Sequence, residues 1–280
     1  MAIEPLNHAA ETSTLGKPVT YGDHYDPGLL FPIPRARNRQ ALGINDAALP
    51  FRGVDIWNGY ELSWLNLRGK PQVAVARFDV PAESPNLIES KSFKLYLNGF
   101  NQTRMASIQA VQQRLIDDLS HAAGARIAVE LIDLQALEGA ALQALPGDCI
   151  DALDFDIDAF SNPDQHALQC ADAIVDECLV SHLLKSNCPV TGQPDWASVQ
   201  IAYQGPRLDR EALLRYLIAF RQHNDFHEHC VERIWLDLWR QCRPTRLTVY
   251  ARYTRRGGLD INPWRSSEPG QPDNSRGPRQ

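Results

Sequence analysis

Up to about residue 70 the apolar positions keep neither a helical nor a strand period, so this stretch reads as loops and turns. Residues 29–34 look extended, because Pro32 and Pro34 restrict the residues before them. Trp57 and Trp64 are expected to pack this arm onto a core. Residues 72–80 then alternate at strand period, and after a polar turn residues 92–100 alternate again. Met105, Ile108, Val111, Leu115, Ile116 and Leu119 recur at helical spacing, and residues 126–132 read as a strand. The second half has a similar layout. Residues 178–184 form a strand candidate, a loop follows, and residues 198–203 alternate. Asp209 is placed to cap a helix through Leu213, Leu214, Leu217 and Phe220. A second helix carries Val231, Ile234, Trp235, Leu238 and Trp239, and residues 246–253 close as a strand. The tail from Ser266 is rich in Pro, Gly and Ser and is expected to fray.

Each half therefore reads as hairpin, helical segment, strand. That pattern predicts an α+β protein of two modules, each an antiparallel sheet with helices packed on one face. The polar stretch 160–176 places the boundary so that the modules span 1–165 and 166–280.

Composition narrows the function. With 280 residues and 44% hydrophobic content, the chain is long enough to bury a core without staples. A net charge of −6 argues against gripping nucleic acid through its phosphates, so no direct nucleic-acid partner is expected. The first residues, Met1 to His8, lack a basic segment followed by an apolar one, and no apolar run reaches the length of a membrane span. A reducing cytoplasm with free thiols is the resulting expectation. The 6 cysteines form no C-x-x-C pair, and residues 1–148 contain none of them. Thiolate chemistry must then come from the second half.

Residues 185–196, KSNCPVTGQPDW, place the thiol of Cys188 and the carboxylate of Asp195 in a loop rich in Pro and Gly. An unperturbed thiol, with a pKa of about 8.5, is mostly protonated at neutral pH. A nearby carboxylate can take that proton and return one later. The alternative is a half-buried structural cysteine beside a turn aspartate.

In the first half Glu89-Ser90-Lys91-Ser92-Phe93-Lys94 opens the second expected strand, at the hairpin position that the Cys188 loop holds in the second half. Glu89 is suited to accept from two adjacent N–H groups of a purine-like edge. Lys91 and Lys94 are read as one positive strand face, with a lysine-protected sheet edge as the alternative. Phe226-His227-Glu228-His229-Cys230 opens the last helix. Its spacing matches no common zinc pattern, so no metal is expected, and a polar helix start facing a ligand is weighed against a solvated one. Arg256 and Gly257, in a basic turn with a second glycine, suit a phosphate, or are simply solvated. No G-x-G-x-x-G follows a strand, so a dinucleotide would not sit in a Rossmann unit. The residues alone reach a soluble α+β protein with a candidate reactive thiol, and leave open a cysteine hydrolase or amidotransferase using Cys188, His227 and Asp195 and a non-catalytic purine-binding module.

The combination of E-S-K-S-x-K, the Cys188-Pro189…Asp195 loop and Phe226-His227-Glu228 resembles the NADPH-dependent 7-cyano-7-deazaguanine reductases of queuosine biosynthesis, over roughly residues 20–266. The thiol follows the E-S-K-S motif, in a different half, which resembles the long, two-module subclass. The resemblance implies two tandem tunnelling-fold modules without zinc, and a homodimer in the cytoplasm. It implies that Cys188 attacks the nitrile carbon to form a thioimide and that Asp195 donates the proton. Ile88, Glu89, Ser90, His227 and Glu228 would bind the deazapurine, and Ser90, Lys91, Arg256 and Gly257 would contact NADPH.

Overall fold

The computed structural model describes residues 22, 24–157 and 162–280. The segment from Met1 to His8 lies outside them, as do residues 160 and 161 at the start of the expected boundary. The secondary structure is mixed α and β, with antiparallel pairing dominant. Two units separate. The first draws on Met1–Ala48, Ile56–Ala140 and Arg255–Asp260, and the second on Leu49–Asp55, Ala141–Thr254 and Ile261–Gln280.

In the first unit β1 (Pro32–Pro34) precedes a short helix, α1 (Ala36–Ala41). Next comes β2 (Arg52–Leu65), whose residues from Ile56 belong here, followed by β3 (Pro71–Pro81). The expectation of loops up to residue 70 fails at β2. Its period is concealed because Asn58 is an inward polar residue, satisfied by a 2.7 Å bond from its amide to Asp260. Trp57 and Trp64 are buried as expected, Trp57 against Phe93. The β2–β3 turn is built on Asn66, whose side-chain oxygen accepts from the backbone N–H groups of Arg68 and Lys70.

β4 (Asn86–Ile88) pairs antiparallel with β1. Directly after it comes α2 (Ser90–Asn98), which corrects the expected strand over residues 92–100. The alternation of Phe93, Leu95 and Leu97 was incidental. The buried set is Ser92, Phe93, Leu95, Tyr96, Gly99 and Phe100, a helical stripe at i, i+3, i+4 and i+7. Lys91 and Lys94, three apart, share a face of a helix and not of a strand. The E-S-K-S motif is therefore a helix start and not the counterpart of the Cys188 hairpin tip. α3 (Ile108–Ala123) follows, capped by Ser107 and closed by Gly124 at φ 71, and buries Val111, Leu115 and Leu119. β5 (Ala128–Ile132) then pairs with β3, giving the strand order β5-β3-β2.

In the second unit β6 (Asp148–Cys149) runs parallel to β7 (Cys170–Asn187), which forms a long hairpin with β8 (Pro194–Leu208). Two helices follow. Asp209 caps α4 (Arg210–Ala219) by accepting from the Ala212 N–H at 2.8 Å, as its position in the sequence predicts. α5 (His227–Cys242) buries Trp235, which stacks on Trp239 and meets Phe51 edge-on. β9 (Arg246–Tyr253) pairs with β8, and β10 (Leu259–Ser266) pairs with β9, so the order is β10-β9-β8-β7-β6. Asp195, Ala197, Val199, Ile201 and Tyr203 alternate along one buried face of β8. Sequence reading closed the sheet at Tyr253 and missed β10. The strand is buried throughout, yet its inward residues include Asp260, Asn262 and Arg265. Nor is the tail from Ser266 free. The Gln280 amide donates to the Tyr253 carbonyl and to Asn262, and the Asp273 carbonyl accepts from the Tyr250 hydroxyl.

Candidate active site

The Cys188 hairpin tip is set by its backbone. The Cys188 N–H donates to the Gln193 carbonyl at 2.8 Å, and the Gly192 N–H returns to the Cys188 carbonyl at 3.0 Å. Gly192 sits at φ 66, a left-handed conformation that disfavours side chains. The tip is anchored to the segment entering α5: Asn187 accepts from Asp225 and donates to His223 through the backbone, and Lys185 donates to the Arg221 carbonyl. Strand register then decides which groups meet. Ser186 pairs with Asp195, and Cys188 lies two residues beyond Ser186. All three therefore project from one face of the hairpin. That face is buried, with Cys188 6% and Asp195 5% exposed.

Helix α5 brings its first turn to the same face. His227 Nε2 lies 3.3 Å from Asp195 Oδ2. The imidazole stacks on Tyr253, 3.9 Å between centroids and 14° from parallel. Tyr253 pairs with Ala197, so it shares the Asp195 face of the sheet. His227 Nδ1 is buried and meets no partner among the described residues. Nε2 and Oδ2 are thus within reach of one shared hydrogen bond, and the other ring nitrogen is buried without a partner among the described residues. Glu228 is buried in the same first turn. Burial pushes the Cys230 thiol well up, helped by the negative charge of Asp225 and Asp195, which keeps that sulfur protonated. Burial also pushes the Tyr253 phenol well up.

Tyr253 and Asp225 were missed by sequence reading. Alternation along β9 places Tyr253 with Val249 and Ala251 facing the helices, and that signal was available. Asp225 lies 3.2 Å from His229 Nδ1 and 3.7 Å from His223 Nε2. Burial alone would raise its pKa, but hydrogen bonding to the two histidines outweighs it and holds the carboxyl well below its ordinary value. A depressed folded pKa stabilises the fold fully above the unfolded value, about pH 4. That contribution disappears as pH falls through the folded value. Thermal melts from pH 6 to pH 3 are expected to show an Asp225→Asn variant less stable than wild type at the upper end, with the gap closing on acidification. A constant gap contradicts this origin.

In the first unit Ile88 is buried at the end of β4. Glu89 caps α2, its two carboxylate oxygens accepting from the N–H groups of Lys91 at 2.7 Å and Ser92 at 2.8 Å. Burial raises its pKa, against the opposing pull of those two bonds and of Lys94 and Lys91. Each oxygen keeps a second lone pair for another donor. Ser90 and Lys91 are half-buried in the first helical turn. Arg256 and Leu259 exchange backbone hydrogen bonds around Gly257 and Gly258, both at positive φ (57 and 71), a two-residue hairpin turn. A Cβ at Gly257 would come 3.3 Å from the Lys94 side chain. A small cavity of about 190 Å³ opens there between Glu61, Lys94, Asn98 and the glycine pair. The structure thus gathers Ile88, Glu89, Ser90 and Lys91 around one helix start, and Arg256 and Gly257 beside Lys94. In the other unit it gathers Cys188, Asp195, His227 and Glu228.

Family comparison adds a second line. Residues 21–131 match the model described as nitrile reductase, 7-cyano-7-deazaguanine-reductase N-term, and residues 194–271 match that of a QueF-like protein. The NADPH-dependent 7-cyano-7-deazaguanine reductase of Chromobacterium violaceum is 60% identical over 98% of this chain and 99% of its own length. The chain belongs to the 7-cyano-7-deazaguanine reductase family. Reductases of the same name from Bordetella pertussis (61% identity, 90% of this chain and 92% of that one) and Chromohalobacter salexigens (59%, 93% of each) agree. The reductase-model matches contain Glu89 to Lys94, Asp195, His227, Glu228, Arg256 and Gly257, and Cys188 lies just before the second begins.

Proposed function

We propose that this chain reduces the nitrile of 7-cyano-7-deazaguanine to the primary amine 7-aminomethyl-7-deazaguanine, in queuosine biosynthesis, with two NADPH per nitrile. The observation that carries the reading is the Asp195–His227 pair, buried on the same hairpin face as Cys188. The Cys188 sulfur adds to the nitrile carbon, and the nitrile nitrogen takes a proton from Asp195, giving a thioimide. The Cys188 sulfur later leaves with its electron pair as the carbon–nitrogen double bond re-forms. Bound NADPH supplies a hydride to that carbon in each of the two reductions. Asp195 must give up protons in one stage and recover them in another, and its contact with His227 provides for both. His227, Glu228, Ile88, Glu89 and Ser90 are assigned to the deazapurine.

Ser90, Lys91, Arg256 and Gly257 are assigned to NADPH. Cationic groups beside a left-handed glycine pair, with Lys94 against Gly257, suit a phosphate, and a space of about 190 Å³ takes one anionic end of the dinucleotide and not the whole. The unit architecture supports two tandem tunnelling-fold modules, spanning 1–165 and 166–280. One unit runs β2-β3, α2, α3, β5, and the other β7-β8, α4, α5, β9, β10. We place the chain in the cytoplasm, with six free thiols, acting as a homodimer and not on nucleic acid directly. β7 supports the dimer. β6 covers only Leu179 and Val180 of it, and Ile174 is 68% exposed.

The test is NADPH absorbance on adding the nitrile base. Two NADPH oxidised per nitrile supports the reading, and ammonia release without NADPH consumption overturns it in favour of a hydrolase. An Asp195→Asn variant is expected to lose about 10²–10⁴-fold in kcat, the range for a removed general acid. Unchanged turnover would remove Asp195 from the proton path.

A further inference from the structure

The second unit holds a cavity of about 440 Å³ on the side of its sheet away from Cys188. Ser198 pairs with Arg252 on neighbouring strands, one step from the Ala197–Tyr253 pair. Alternation therefore sends Ser198 and Arg252 to the face opposite Asp195 and Tyr253. Arg252 is 5% exposed and lines the cavity. Its Nη1 donates to the Tyr250 hydroxyl at 3.0 Å and to the Asp273 carbonyl at 3.3 Å. Its Nε and Nη2 are buried and meet no acceptor among the described residues. These two atoms form the edge of a guanidinium that grips a carboxylate or phosphate through two parallel bonds. Leaving such donors buried and unmatched is costly, and an anion removes the cost.

The rest of the lining agrees. Arg279 adds a second cation, held by a bond to the His182 carbonyl. The acidic side chain of the lining, Asp273, has Oδ1 engaged by the N–H and hydroxyl of Ser275. Trp264, Leu145 and Pro272 give apolar walls, and the volume lies within the usual range for small-molecule sites, about 300–1,000 Å³.

We propose that this cavity binds a small planar molecule carrying a carboxylate or a phosphate, with the anion on the Nε–Nη2 edge of Arg252 and the ring against Trp264. It is a site separate from the nitrile-reducing one and does not depend on that assignment. Isothermal titration of the full chain with phenyl phosphate, benzoate and inorganic phosphate tests it. One-site binding of an aromatic probe, tighter than inorganic phosphate, is expected, and whichever aromatic probe binds tighter identifies the anion. Arg252→Met is expected to weaken that binding at least tenfold. Ser198→Trp, which fills the cavity and keeps Arg252, is expected to abolish it while leaving NADPH oxidation unchanged, and it carries the test if the arginine variant does not fold. Failure of the folded wild type to bind either aromatic probe at millimolar concentration overturns the proposal. So does binding that both variants retain, or inorganic phosphate binding as tightly as the aromatic probes.

Discussion

A Cys188→Ala protein is expected to oxidise no measurable NADPH when given 7-cyano-7-deazaguanine, a fall of about 10³-fold or more. The size follows from the role proposed for the sulfur. A nitrile carbon accepts hydride poorly, and adding sulfur converts it into a carbon–nitrogen double bond that a proton activates. Without the sulfur, the Asp195–His227 pair has no thioimide nitrogen to protonate. The replacement is expected to leave the fold intact, because Cys188 sits in a hairpin tip whose bonds are made by its backbone. Circular dichroism and nitrile-base binding by the variant separate lost chemistry from lost structure. Binding retained with turnover lost is the expected combination. Full turnover by Cys188→Ala would show that the thiol is a bystander.

Arg265→Ala is expected to be the most damaging single change to stability. Its guanidinium is fully buried, donating to Asp55 at 2.7 Å and to Glu232 at 2.8 Å, with both carboxylates equally buried. Burial alone would lower the arginine pKa, but the two carboxylates more than offset that and raise it. Truncation leaves two buried negative charges without their shared cation. Such losses cost about 3–5 kcal/mol, a large part of the roughly 5–15 kcal/mol that holds a domain folded. Denaturant titration should show the drop. The same physics makes a second outcome testable: replacing Asp55, Glu232 and Arg265 together with apolar residues of similar volume should cost less than removing Arg265 alone, since it leaves no unpaired charge. Equal or greater cost in the triple variant would contradict this origin of the stability.

The same cluster explains what the sequence concealed. Strands β2 and β10 escaped pattern reading because their buried positions include Asp55, Asn58, Asp260, Asn262 and Arg265. These residues are satisfied by partners as far as 210 positions away along the chain, a relation no local period records. The tail from Ser266 was misread for a similar reason, since its composition suits a loop while Gln280 and Asp273 hold it by hydrogen bonds. Helix α2 was misread for another: in nine residues an apolar alternation and a helical stripe share Phe93 and Leu95, and the deciding signal was the capping carboxylate of Glu89. Local signals were legible. Asp209 announced its helix, and strong alternation announced β3, β8 and β9. The Cys188 loop and the His227–Glu228 helix start were visible as separate motifs. Their meeting on one face became visible only through the Ser186–Asp195 register and the stacking of His227 on Tyr253.

Intact-protein mass after mixing folded wild type with 7-cyano-7-deazaguanine, NADPH withheld, interrogates the sulfur directly. The expected result is a gain equal to the whole nitrile base, since addition expels nothing, and no gain in Cys188→Ala. Unmodified mass in wild type that is folded and shown to bind the base would contradict covalent catalysis at Cys188.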